Sequence, residues 1–340
     1  MRNIKIAVLD SGVSDELCRN IRIANRRSFC WDYYQDTISV SDNIVDHNGH
    51  GTMCVDTMLA VFEHIEFSII KMLNVSGVAS EAVFIEALKY AGALNVDIIA
   101  VCASLTMNKN SDELYNVCKK ISESGKAIIA SVENGKKHSA PAFFDCVIGV
   151  LGGAMEDTAF RFSSKREIQM QCSSEATITM SAFGQRSVFQ GNSRAAALAA
   201  AHIAKIMYNN AYSMANLNEM IMQEAETSQF INKAFDAEHD EYMKTRFDSR
   251  RESQLIKTDA DYHRFIYALC EFFLCDDPQY IRRQQLIDFQ GRYILRRMEY
   301  FLRYIEDKFH VQLKDVKIRN FQWAYLFYEK YIKRRAIADE

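Results

Sequence analysis

The chain has 340 residues, 49% of them apolar and 25% charged, with a formal net charge of -3. That is the balance of a water-exposed globular protein with room for more than one domain. It excludes an intrinsically disordered chain and points to no particular charged partner. No stretch of 18 apolar residues occurs, so a membrane-spanning helix is excluded, and nine cysteines without a tight spacing fit reduced thiols better than a disulfide framework.

Met1-Arg2-Asn3 leads straight into the apolar run Ile4–Leu9, with no secretory signal, and this run reads as a buried strand ending at Asp10. Further strand-like runs fall at 67–73, 96–103, 126–132 and 146–151, and helical patterns at 53–64, 79–93 and 111–124 lie among them. Strands alternating with helices predict an α/β domain built on a doubly wound parallel sheet. Cys102 and Cys146 sit in two of the runs and read as small core residues. The polar stretch 162–186 alternates through Glu175–Met180 and predicts short strands or a hairpin, and Ala195–Ile206, without Gly or Pro, predicts a helix.

Three glycine-marked segments stand at the ends of these elements: Val8-Leu9-Asp10-Ser11-Gly12, Asn48-Gly49-His50-Gly51-Thr52 and Gly191-Asn192-Ser193-Arg194-Ala195-Ala196. A serine hydroxyl attacks a carbonyl only if a base takes its proton, and the base needs a carboxylate to hold its tautomer and stabilise its charge. Ser193, His50 and Asp10 are the candidates for nucleophile, base and orienting acid. Ser193 precedes a helix, where unpaired backbone N–H groups favour an oxyanion. His47 competes locally with His50, but no Gly-Thr follows it, and an exposed loop is its expected place.

In motif and chain order these segments resemble the subtilisin-like serine peptidases over roughly residues 3 to 212. The resemblance implies a peptide-cleaving enzyme working through an acyl-enzyme without a cofactor. It implies Asn134, after the strand Ala127–Val132, as an oxyanion donor beside the backbone of Ser193, and it places Ser104, Leu105, Thr106 and Glu133 along the substrate groove. The chain departs from the family at several points. Arg194 stands where Met is usual and is expected to face solvent, or else to add charge on the leaving side. Ala197 replaces a Pro. Thr106 replaces a Gly and narrows the groove edge. Glu133 replaces a Gly and either faces the pocket, favouring a basic side chain, or points outward. Asp42, Asn43 and Asp46 are too sparse for a calcium loop, and no metal is expected.

The catalytic domain is expected at 1–213, and 214–340 is read as a mostly helical appendage whose segment at about 235–261 is a charged linker or a mobile helix. Amphipathic helices are expected at 262–274 and 280–309. Basic and aromatic residues mix there, but as a solvated face over an apolar core, so neither nucleic acid nor membrane is an expected partner. Those helices offer a surface for a protein partner or a second copy of the chain. With no pro-segment ahead of the core, the sequence reads as a cytoplasmic processing protease of narrow specificity acting on a peptide or protein, for example in peptide maturation. A partner-gated regulatory or defence protease, or a peptide-binding scaffold that does not cut, are the alternatives.

Overall fold

Alternation along the first strand sets up the architecture. In β1 (Ile4–Asp10), Ile4, Ile6 and Val8 enter one apolar core while Ala7 and Leu9 enter another, so both faces of the strand are covered. Full burial of a side chain such as Ile6 contributes about 1.5–3 kcal/mol. The computed structural model describes residues 2–103, 112–134, 139–210, 212–227, 247–287, 294 and 297–333.

In chain order there follow α1 (Asp15–Cys18), β2 (Arg22–Asp32), β3 (Thr37–Ser41), α2 (His50–Val61), β4 (Ile65–Lys71), α3 (Glu81–Ala93), β5 (Ile98–Val101), α4 (Asp112–Glu123), β6 (Ala127–Ser131) and β7 (Ile148–Gly153). Next come β8 (Phe160–Phe162), β9 (Met170–Ser173), β10 (Thr177–Met180), β11 (Arg186–Phe189), α5 (Asn192–Asn209) and α6 (Met214–Glu224). Nine strands form one sheet in the order β3-β2-β4-β1-β5-β6-β7-β9-β8. All neighbours are parallel except the terminal pairs β2/β3 and β8/β9. The α/β parallel sheet expected from sequence is therefore present, with an antiparallel strand at each edge.

Helices α2, α5 and α6 contribute to one core and α3 and α4 to the other. Ser80 starts α3 by accepting from the Val83 N–H, and the helix buries Val83, Phe84, Ile85, Leu88 and Ala91. In α5 the run Ala195–Ala201 is almost wholly buried. Small side chains let this helix lie close to the sheet and to α2, and a larger residue there costs about 1–3 kcal/mol in overpacking.

The chain divides into two compact units that are not sequential. The first holds the chain up to Glu175, Met180–Gln185 and the described residues from Phe189 to Thr227; the second holds Ala176–Thr179, Arg186–Val188 and the described residues from 247 on. The second unit adds α7 (Ser249–Thr258), α8 (Ala260–Phe273), α9 (Pro278–Arg282), α10 (Met298–Phe309) and β12 (Val316–Lys317). Its sheet runs β11-β10-β12, with β10 and β12 antiparallel. Phe265, Phe301, Phe321, Phe327, Tyr262 and Tyr328 fill its core, and Arg186 is held between Glu299 and Glu306 at 2.8 Å each.

The segment 235–261 falls partly outside the described residues, and its later part is the helix α7, which buries Leu255. One expectation for this region changes. The helix expected over 280–309 is interrupted, since 283–287 are turn and bend before α10 begins at Met298.

Candidate active site

Parallel strands deliver their carboxyl ends to one edge of the sheet, where open α/β sheets place their sites. Asp10 closes β1, fully buried. His50 is the first residue of α2, Ser193 the second of α5, and Asn134 lies just beyond β6. The helices carrying His50 and Ser193 pack against each other.

His50 Nδ1 lies 2.8 Å from Asp10 Oδ1 and 2.9 Å from Oδ2, so the carboxylate faces the ring with both oxygens. The Ser11 N–H donates to the same Oδ1 at 2.8 Å, and Gly51 N–H donates to Ser11 Oγ at 2.9 Å. Gly51 is dictated by approach: a Cβ there would stand 2.3 Å from the Gly12 carbonyl oxygen. The Phe189 ring meets the imidazole edge-on at 5.5 Å. Burial works against the imidazolium, but the charge and hydrogen bond of Asp10, with Asp46 adding, outweigh it and raise the His50 pKa above the ordinary value.

Asp46 earned no such place in the sequence. Its Oδ1 accepts from Asn48 N and Gly49 N, and its Oδ2 from Thr52 N and Thr52 Oγ1. It therefore holds the turn that presents His50. Burial opposes its charge, but these bonds outweigh burial and lower its pKa. The signal was an Asp three residues ahead of a Gly that caps a helix.

At the serine, Gly191 has φ of +87°, the left-handed range that favours glycine, and a Cβ there would lie 3.1 Å from Asn134 Oδ1. That oxygen accepts from Asn192 N at 3.1 Å. The Asn192 side chain in turn donates to the Val132 carbonyl at 2.9 Å and accepts from Gly152 N at 2.8 Å. Two strand ends thus fix the start of the helix that carries Ser193, a role that sequence reasoning missed.

Arg194 does not face solvent. Its side chain is 2% exposed, with Nη2 at 2.6 Å from Asp157 Oδ2, Nη1 at 3.0 Å from Asp157 Oδ1 and Nη1 at 3.3 Å from Ser173 Oγ. The expectation assumed no partner, and Asp157 supplies one. From the same helix His202 Nε2 meets the Asp157 carbonyl at 2.8 Å. Glu133 is half-buried, its N–H donating to Ser139 Oγ at 2.7 Å. Ser104, Leu105 and Thr106 lie outside the described residues. His47 is exposed beside Phe183, Cys102 is buried, and Cys146 is half-buried and packs against the core that holds α3 and α4.

The family model of the subtilases, peptidase S8, matches residues 1–249. The chain belongs to the subtilase family. An "Intracellular serine protease" of Paenibacillus polymyxa is 28% identical over 212 residues, 57% of this chain and 63% of that protein, so the chain spans less than two thirds of that relative's length. Among solved structures, sphericase superposes with a TM-score of 0.53 at 18% identity, over 65% of this chain and 83% of its own. A cold-adapted subtilisin-like serine proteinase gives 0.52 at 16% identity, over 66% and 85%. These likenesses show a subtilisin-like fold. Among the described residues no helix is long and apolar enough to cross a membrane.

Proposed function

We propose that the chain is a serine endopeptidase in which Ser193 forms an acyl-enzyme with the substrate carbonyl. The observation that carries this is the two-oxygen contact of Asp10 with His50 Nδ1, which sets the ring so that its other nitrogen serves as base. His50 takes the Ser193 proton during attack and returns it to the leaving amine. Asp10 stays ionised and stabilises the imidazolium. The oxyanion receives the Ser193 backbone N–H and Asn134 Nδ2, the amide being oriented by its Oδ1 contact with Asn192 N. Asn134→Ala is expected to lower kcat by about 10² to 10³ with little change in KM, measured by steady-state hydrolysis of a peptide substrate.

The raised His50 pKa has a signed consequence. The base works only when neutral, so kcat/KM is expected to rise with pH through a midpoint above about 6.5, and the limb in Asp10→Asn is expected at lower pH. An unshifted wild-type midpoint would contradict the coupling. For stability the sign is opposite: His50 contributes fully below 6.5, and the contribution is lost as pH rises through the folded-state pKa.

The finer reading is a cytoplasmic processing protease that cuts one peptide or protein precursor. It is supported by similarity to a protein named for an intracellular location and by nine cysteines left as thiols. Glu133 then selects basic residues before the scissile bond. Fluorophosphonate labelling and a peptide library read by mass spectrometry test this together. Labelling with cleavage after basic residues supports it, whereas broad digestion of casein contradicts narrow specificity. Labelling without cleavage favours gating by a partner, and neither favours a scaffold. Gating has one observation behind it: 176–179 and 186–188, just ahead of Ser193 in the chain, belong to the second unit.

A further inference from the structure

We propose that Cys54, Cys102 and Asp10 form a binding site for a thiophilic divalent cation of the zinc class, whose occupation withdraws Asp10 from His50. Three elements bring the donors together. Leu9 of β1 is the register partner of Val101 of β5, so the next residues, Asp10 and Cys102, are lateral neighbours at the sheet's carboxyl edge. Cys54 lies one turn after His50 on α2, on the same helix face. Ligand atoms of Asp10, Cys54 and Cys102 all lie within 4.8 Å of one another, and the three residues are buried.

One separation already fits a bound geometry: Cys54 Sγ is 3.7 Å from Asp10 Oδ2, about what a tetrahedral zinc ion needs between a sulfur ligand at about 2.3 Å and an oxygen ligand at about 2.0–2.2 Å. Two thiolates and a carboxylate, with water completing the shell, are a donor set that favours zinc or cadmium over calcium or magnesium. His50, with its side chain 26% exposed, is the wall of the site that solvent reaches. Binding releases two protons: the cation replaces the S–H hydrogens of Cys54 and Cys102, which pass to water.

The inhibitory consequence rests on the peptidase reading; binding does not, so the two are measured separately. Full-length protein freed of metal by chelator is titrated with Cd2+, and the thiolate-to-cadmium absorption band is followed in the wild type and in Cys54→Ala, Cys102→Ala and Cys102→Ser. The expected result is one tight equivalent in the wild type, weakened at least tenfold in each variant, with Ser193→Ala binding as the wild type does. In parallel, Zn2+ is expected to suppress fluorophosphonate labelling of the wild type reversibly. Labelling of Cys102→Ser, relative to its own metal-free rate, is expected to persist at the same zinc concentration. An absent band, or a band unchanged in the Cys54 and Cys102 variants because the other cysteines carry it, overturns the site. A band that follows those variants in a chain that never labels upholds the site and removes the peptidase reading instead.

Discussion

Replacing Ser193 by Ala is expected to abolish fluorophosphonate labelling and lower kcat for peptide cleavage by roughly 10⁵- to 10⁶-fold, the scale found when the nucleophile of such a triad is lost. The fall is expected to be this large because, in the mechanism proposed above, Ser193 supplies the electrons of the new bond, whereas Asp10 only orients and stabilises His50. His50→Ala is expected to fall as far, and the double variant little further, because the pair acts as one unit. Folding is expected to be unaffected: Ser193 is only half-buried, and the start of its helix is fixed by Asn192 and Gly191. A single-turnover assay with intact circular dichroism separates the two effects. Substantial residual cleavage by Ser193→Ala would place the nucleophile elsewhere.

The second large effect concerns stability, and its asymmetry is the informative part. Asp157→Ala leaves the buried Arg194 guanidinium with the neutral oxygens of Ser173 and, among the described residues, no carboxylate within hydrogen-bond reach, and is expected to destabilise the fold by about 3–5 kcal/mol, the usual cost of stranding a buried charge. Arg194→Met removes that charge and leaves an Asp157 side chain that is 22% exposed and can be hydrated. It is expected to cost less, about 1–2 kcal/mol or nothing, because exchanging a buried ion for a well-packed apolar side chain is often neutral. Guanidinium unfolding of both variants and of Asp157→Ala/Arg194→Met tests the order. If the double variant is no more stable than Asp157→Ala, stranded charge is not the cause.

The parts of this protein that were legible in sequence are those written locally. Asp10, His50 and Ser193 each sit at an element's end beside glycines demanded by close approach or a left-handed turn, as at Gly51 and Gly191. The parallel strands β1, β4, β5 and β6 show as apolar runs because both faces are buried. The β2–β3 hairpin does not, because most of its residues are only half-buried or exposed and its alternation is mixed with charge. Arg194 was misplaced because Asp157 is distant in sequence, and only the fold brings the two together. The donors around Asp10 were hidden for the same reason: Cys102 reads as a core residue until the register of β1 on β5 sets it beside Asp10.

The interleaving of the two units has a consequence for the order in which the protein can be completed. A chain emerging from the ribosome presents β10 and β11 before Ser193, yet β12, which pairs with β10, is made only when Val316 and Lys317 appear. Segments folded as units during synthesis generally settle from the N-terminus onward, and here that progression is broken at Ala176–Thr179 and Arg186–Val188, which belong with residues made later. β10 therefore stays unpaired on its β12 side until translation has passed residue 317, and this small sheet is completed late rather than as the chain grows.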